Sequence, residues 1–204
     1  RYVLGVDFGY RDSTAWSVWC YYANRPETWC LESFKQDKLT PGEVAERTGQ
    51  LIERYGGFDA IVGDAGGLGK GYIEEARKRF GIPFKPAQKR DKRGYIELMN
   101  GDFQAGLIRV LPNMNEAWLT EMATLPWKDA NREVEADGFE NHLSDASLYA
   151  WRECRAWSHV PDVVKAERGS AKWWKEQEEE MWKNDVPDPE PDHDLAWADS
   201  NDDW

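Results

Sequence analysis

Cysteine is scarce in this chain of 204 residues, and long apolar runs are missing from it. The three cysteines, Cys20, Cys30 and Cys154, cannot all pair with one another, so we expect a reducing compartment and no disulfide scaffold. The sequence has no CxxC pair and no cluster of cysteine and histidine, so it predicts no zinc site. No apolar run approaches the roughly 20 residues that a membrane-spanning helix needs, and no secretory signal pattern opens the chain.

Positive charge is also in short supply, but the deficit is uneven along the chain. The sequence has 26 Lys and Arg against 38 Asp and Glu, a net charge of −12. Residues 161–204 carry −9 of that charge, which leaves residues 1–160 nearly neutral at −3. We therefore predict a folded domain in residues 1–158 and an acidic, tryptophan-rich tail in residues 159–204 that is largely disordered. Because the chain opens on Arg1 inside a predicted strand, we expect a piece of a longer protein.

The apolar pattern predicts an α/β fold. Strands are expected at 2–9, 14–23 and 28–34, joined by turns into an antiparallel meander. A helix begins at Pro41, with Thr40 as its N-cap and Glu43 completing a capping box. Further elements are then expected in this order: a strand at 58–64, a short helix after a glycine-rich loop, a strand at 82–85, a helix at 94–106, a strand at 107–111, and helices at 115–124 and 142–157. This order is the one used by RNase H-like folds, in which a mixed sheet is flanked by helices.

Three aspartates stand where the predicted strands and the last helix would bring them together. Asp7 lies inside an apolar strand, where a carboxylate is costly unless it is paired or binds a metal. Asp64 ends the fourth strand, so it would lie beside Asp7 if the first and fourth strands are neighbours. Asp145 lies in the first turn of the last helix, and His142 shares its edge. Carboxylate oxygens suit Mg²⁺ or Mn²⁺, and three of them could hold two ions for phosphodiester hydrolysis.

The segments GVDFGYRDSTAW, IVGDAGG and ENHLSDASLYAWR resemble the three acidic motifs of the nuclease domain of tailed-phage large terminases. These are RNase H-like, metal-dependent endonucleases that cut concatemeric DNA during genome packaging. The resemblance implies that Asp7, Asp64 and Asp145 are metal ligands of two Mg²⁺ or Mn²⁺ ions, with Asp7 bridging both. The spacing of His142 and Asp145 is also similar to the last motif of some Holliday-junction resolvases, which makes His142 a candidate catalytic residue.

The same resemblance implies partners and a location. Double-stranded DNA would be the substrate, the portal and other packaging-motor subunits would be partners, and the host cytoplasm would be the site of action. A large terminase also carries an N-terminal packaging ATPase, which is not expected in these residues: GDAGGLGKG has the wrong spacing for a Walker A loop and lacks Ser or Thr after Lys70.

A basic stretch separates the second and third acidic motifs. It contains Lys85, Lys89, Arg90, Lys92 and Arg93 in an otherwise near-neutral domain. Such a cluster can bind the DNA backbone without reading its sequence. Either Lys89 or Lys92 is also placed to stabilise the scissile phosphate, and the sequence does not distinguish between them.

Two other functions fit parts of the sequence. Asp7-Phe8-Gly9 also fits the first phosphate loop of actin-like and sugar-kinase ATPases, although those enzymes use two RNase H-like halves and this chain supplies one. A non-catalytic packaging or docking module would keep the fold and use the acidic tail for assembly. A serine hydrolase fits the sequence poorly because GxSxG is missing and His142, Ser144 and Asp145 are too close in sequence to form a triad.

Overall fold

A computed structural model describes residues 1–9, 13–67, 69–128, 135–136, 138–158, 170–171 and 173–175. The chain divides into two units, Arg1–Val160 and Pro161–Trp204. All strands and helices named below lie in the first unit. No helix of the described part is both long and apolar enough to cross a membrane.

Within the described residues, six strands form one mixed sheet in the order β5-β4-β1-β2-β3-β6. The strands are β1 (Tyr2–Asp7), β2 (Ser13–Tyr21), β3 (Thr28–Asp37), β4 (Ala60–Gly63), β5 (Phe84–Pro86) and β6 (Ile108–Val110). The first three are antiparallel, whereas β4 runs parallel to β1, β5 parallel to β4 and β6 parallel to β3. The predicted meander and the predicted pairing of the first and fourth strands are both confirmed.

Helices cover both faces of this sheet. They are α1 (Pro41–Tyr55), α2 (Gly69–Phe80), α3 (Lys92–Gln104), α4 (Glu116–Thr124) and α5 (His142–Ser158), with a short 3₁₀ turn at Pro112–Met114. The predicted capping box of α1 is present, since Thr40 Oγ1 accepts from the Glu43 amide and the Glu43 carboxylate accepts from the Thr40 amide. Gly56 ends α1 in the left-handed conformation, with φ of 71°.

The sheet has an apolar core on each face, and β1 contributes alternate residues to both. Val3 belongs to the core under α5, whose inward face is fully buried at Leu143, Ala150, Trp151 and Cys154. Leu4 and Val6 belong to the core on the opposite face, under α1 and α2. Because side chains alternate along a strand, Asp7 lies on the same face as Val3, toward α5.

The backbone of α5 passes very close to β1 at Gly5. A Cβ placed on Gly5 would overlap the carbonyl oxygen of Ala146 and would lie 3.0 Å from the Cβ of Ala150. Only glycine therefore lets helix and strand approach this closely. The approach matters for the site, because Gly5 lies two residues before Asp7, and Ala146 directly follows Asp145.

The end of α2 differs from what the sequence pattern predicts. The helical spacing of Ile73, Ala76 and Phe80 predicts that all three point inward, but Phe80 is 45% exposed. The helix ends there, and Gly81, with φ of 66°, turns the chain so that Ile82 fills the core instead. Between α4 and α5, where the sequence predicts no helix, Trp127 and Glu135 form an isolated antiparallel bridge, while 129–134 and 137 lie outside the described residues.

Little of the second unit is described. The Trp173 amide donates to Ser170 Oγ at 3.1 Å, and the Trp174 amide donates to the Ser170 carbonyl oxygen at 3.0 Å. The rings of Trp173 and Trp174 meet edge to face, with their centroids 4.7 Å apart. Most of the predicted acidic tail, including Trp182, Trp197 and Trp204, lies outside the described residues.

Candidate active site

The pairing of β1 with β4 brings Asp7 and Asp64 to the same edge of the sheet. Val6 stands opposite Gly63 in the parallel register, so Asp7 and Asp64 follow at adjacent strand ends. The Asp64 amide donates to the Val6 carbonyl oxygen at 3.3 Å, which continues the pairing. Asp7 is 8% exposed and Asp64 is half-buried. The two carboxylates therefore occupy the carboxyl end of parallel strands, as the sequence predicted.

Asp145 reaches this edge from the first turn of α5. Its amide donates to the Asn141 carbonyl oxygen at 2.8 Å, the first hydrogen bond of the helix. The pKa of Asp145 is raised to about 6, mainly because the carboxyl is buried; Lys92 lowers it, and the nearby Asp7 and Glu135 add to the increase. The carbonyl oxygen of the next residue, Ala146, lies against Gly5, so α5 brings Asp145 close to β1.

The phenol of Tyr149 lies near these carboxylates. Tyr149 lies one helical turn after Asp145 and is 5% exposed. Burial raises the pKa of its hydroxyl, and the negative charges of four carboxylates raise it further: Asp145, Asp7, Asp64 and Glu135. The pKa of this hydroxyl is therefore raised by the charges of all three predicted ligands and of one acid that was not predicted.

His142 contacts Asp7 directly. Its Nδ1 lies 2.8 Å from Asp7 Oδ2, across a sequence separation of 135 residues. The contact forms because His142 opens α5 at the point where the helix crosses the end of β1. The structure thus brings His142 to the site, in contact with one predicted ligand.

Two lysines of the basic stretch lie among these acids. Lys89 Nζ is 2.5 Å from Asp64 Oδ2, while the other oxygen of Asp64 accepts from the Gly66 amide at 2.7 Å. Lys92 Nζ is 2.6 Å from Asp145 Oδ1 and 2.7 Å from Glu135 Oε2. Burial lowers the pKa of Lys92, but Asp145 and Glu135 outweigh that effect and the pKa is raised, so Lys92 stays an ammonium group.

The remaining basic residues lie farther from the acids. Lys85 pairs with Glu153 at 2.7 Å, and Arg93 pairs with Glu97 at 3.2 Å within α3. Arg90 is exposed, and its carbonyl oxygen accepts from Arg152. The five basic residues therefore divide into two that contact the predicted metal ligands and three on the surface beside them.

Glu135 is the acid of this site that sequence reasoning missed. It lies outside every helix and strand that the sequence predicts, and it belongs to no recognisable motif. Its carboxylate accepts from Lys92 and also from Asn141 Nδ2 at 2.9 Å, which ties it to the start of α5. Only the density of acids just before the last helix, at Glu133, Glu135, Asp137 and Glu140, could have drawn attention to it.

The carboxylate groups of this site are chemically suited to binding a divalent cation. Among the described residues, no three Asp, Glu, His or Cys side chains are already gathered at metal-binding distance. Instead, the ammonium groups of Lys89 and Lys92 neutralise Asp64 and Asp145. The donors are hard carboxylate oxygens, which suit Mg²⁺ or Mn²⁺. Because burial raises the pKa of Asp145, a neighbouring positive charge favours its ionised form, and either an ammonium group or a cation can supply that charge.

No family model and no curated protein matches this sequence. Solved structures do match. The nuclease domain of the g2p large terminase of bacteriophage SPP1, solved with bound Mn, gives a TM-score of 0.54 at 18% identity, over 75% of this chain and 86% of that one. The large terminase nuclease of thermophilic phage G20c with bound magnesium gives 0.58 at 19% identity, over 74% and 80%.

The large terminase of a second thermophilic bacteriophage gives a TM-score of 0.61 at 17% identity over 73% of this chain, which spans 38% of that protein's length. At these identities the likeness establishes the fold. The chain has the RNase H-like fold of terminase nuclease domains, as its three acidic segments predicted.

Proposed function

We propose that this chain is a metal-dependent DNA endonuclease that cuts concatemeric phage DNA during genome packaging. The observation that carries the proposal is the convergence of Asp7, Asp64 and Asp145 at one edge of the sheet. The fold is shared with terminase nucleases solved with bound Mn or magnesium, which supports the same chemistry here. The packaging context, with its portal, ATPase domain and host cytoplasm, belongs to the proposal as well.

The chain's own side chains have distinct tasks in this reaction. Asp7 would bridge two divalent ions, and Asp64 and Asp145 would complete their sites. When bound, such ions lower the pKa of water and stabilise the leaving oxygen of a phosphodiester. His142 holds the Asp7 carboxylate through Nδ1 and so fixes the orientation of the bridging group. Lys89, whose side chain is 55% exposed, is the lysine better placed to meet a phosphate, because Lys92 is held between two carboxylates.

Metal removal tests the proposal. Supercoiled plasmid should be nicked and linearised with Mg²⁺ or Mn²⁺, and EDTA should stop cleavage completely. Restoring the metal should restore it, since the carboxylates supply only the ligands. A folded protein that cleaves with neither metal but binds an ATP analogue would support the nucleotide-binding alternative. One that does neither would support a docking module.

The surface basic residues beside the site should bind DNA. Reversing charge at Arg90 and Arg93 to glutamate should weaken duplex binding and reduce the salt dependence of log Kd by about 2, one unit for each lost phosphate contact. Fluorescence anisotropy at several salt concentrations measures both quantities.

Lys78 and Arg79 supply the matched control. They are exposed on α2, and they pair with Glu74 and Glu75 as Arg93 pairs with Glu97. Reversing both imposes the same net charge change away from the carboxylates. If the two double variants lose equal affinity, the effect is one of overall charge, and the assigned DNA surface is wrong.

A further inference from the structure

The first turn of α5 carries two groups of the candidate site, His142 and Asp145. A helix begins with backbone amides that have no acceptor inside it, and a side chain commonly accepts from the amide at the third helical position. In α5 that amide belongs to Ser144, and it donates to the carboxylate of Glu121 at 2.7 Å. Glu121 belongs to α4, so the first turn of α5 is capped by a different helix.

Glu121 is held in a fixed position. It is 6% exposed, and it lies three residues after Trp118, on the same face of α4. Trp118 is 0% exposed, and its ring meets that of Trp19 edge to face with the centroids 5.6 Å apart. Asn115, directly before α4, is also fully buried and donates to the Leu111 carbonyl oxygen at 2.9 Å. Because these contacts anchor α4 in the core, Glu121 offers α5 a fixed acceptor.

The charge of Glu121 suits this place. A carboxylate at the start of a helix interacts favourably with the helix dipole. The second oxygen, Oε2, lies 3.9 Å from Lys35 Nζ, and it is buried with no hydrogen-bond partner among the described residues. The hydrogen bond from Ser144 is therefore the main polar contact of this buried acid.

We propose that Glu121 is a positioning residue of the candidate active site, which fixes the first turn of α5 so that His142 and Asp145 stay beside Asp7. The proposal rests on the proposed function, since it concerns how those side chains are held for metal binding. The contact between Ala146 and Gly5 fixes α5 only from its second turn onward. Glu121 acts on the turn before it, through the helix backbone.

Binding of Mn²⁺ to the full chain, measured by isothermal titration calorimetry, tests this without relying on cleavage. Glu121→Ala removes the acceptor and should weaken Mn²⁺ binding about tenfold or more, as is typical when a group that orients a metal ligand is lost. Glu121→Gln keeps an acceptor oxygen and should bind Mn²⁺ within about threefold of the wild type. Binding that remains in Asp7→Asn measures the background from other acids.

Asp102→Ala is the matched control, because Asp102 is also a buried acid that holds α5. It is 8% exposed and accepts from Arg155 at 3.2 Å, toward the other end of the helix. Its loss should lower stability but leave Mn²⁺ affinity unchanged. Hydrogen exchange followed by mass spectrometry should show faster exchange over residues 142–146 in Glu121→Ala and not in Asp102→Ala.

Wild-type Mn²⁺ affinity in folded Glu121→Ala would overturn the proposal, as would an equal loss of affinity in Asp102→Ala. A wild-type protein that binds no Mn²⁺ at Asp7 would instead contradict the metal site of the proposed function. Hydrogen exchange then decides the role of Glu121 by itself. Exchange over residues 142–146 that Glu121→Ala leaves unchanged would show that Glu121 does not hold the start of α5.

Discussion

Asp7→Asn is expected to lower metal-dependent cleavage by about a thousandfold. Asp7 is the carboxylate assigned to both metal ions, so its loss removes a ligand from each. Asparagine keeps the size of the side chain and one oxygen that His142 can contact, so the fold should survive. Plasmid cleavage time courses measure the rate, and circular dichroism with thermal melting establishes that the variant is folded.

Asp59→Asn is the matched control for this change. Asp59 lies at the opposite end of the sheet, just before β4, where its carboxylate accepts from the Tyr2 amide at 3.0 Å. Removing its charge alters the net charge as Asp7→Asn does, yet leaves the proposed site untouched, so cleavage should continue at the wild-type rate. Cleavage that persists in Asp7→Asn would show that the metal site has been assigned to the wrong residues.

Gly5→Ala should destabilise the first unit by about 3 kcal/mol or more, because a methyl group would have to enter a contact between two backbones. The Ala146 carbonyl oxygen belongs to the helix backbone and cannot rotate away as a side-chain end can. Relief requires α5 to move off β1, which would also separate Asp145 and His142 from Asp7. Urea unfolding measures the change, and cleavage by the remaining folded protein should fall with it.

Gly49→Ala is the same chemical change as Gly5→Ala, but we expect it to increase the stability of the protein. Gly49 lies inside α1, and a Cβ there would meet nothing within 4 Å. Alanine should therefore stabilise the protein by up to about 1 kcal/mol through its higher helix propensity. If Gly5→Ala unfolds at the same urea concentration as the wild type, then α5 does not lie as close to β1 as described.

Strong local patterns made the architecture predictable. The capping box at Thr40 and Pro41 sets the start of α1, and the apolar run around Asp7 predicts a buried strand with one unexplained charge. The position of Asp145 at the start of an amphipathic helix then predicts the third acid. These features depend on residues close in sequence, so they can be recognised without tertiary information.

The missed and mistaken features depend on contacts between distant residues. Glu135 contributes to the site because Lys92 and Asn141 hold it there, and no periodic pattern marks it. The sequence made Lys89 and Lys92 candidates for contacts with DNA and with the scissile phosphate, but it could not show their pairing with Asp64 and Asp145, which requires the folded sheet. Phe80 fitted the helical pattern of α2, but Gly81 turns the chain just beyond it and Ile82 takes the core position.

The covering of β1 by α5 also sets the timing of folding during synthesis. β1 is the first strand of the unit to leave the ribosome, whereas α5, which covers one of its faces, is the last helix of the unit. Until α5 emerges, Val3 lacks the helix that covers it on that face, and the long sequence separation makes its full burial a late event. The nascent chain therefore holds a sheet with one face only partly covered, and Asp145 and His142 come near Asp7 only when that last helix docks.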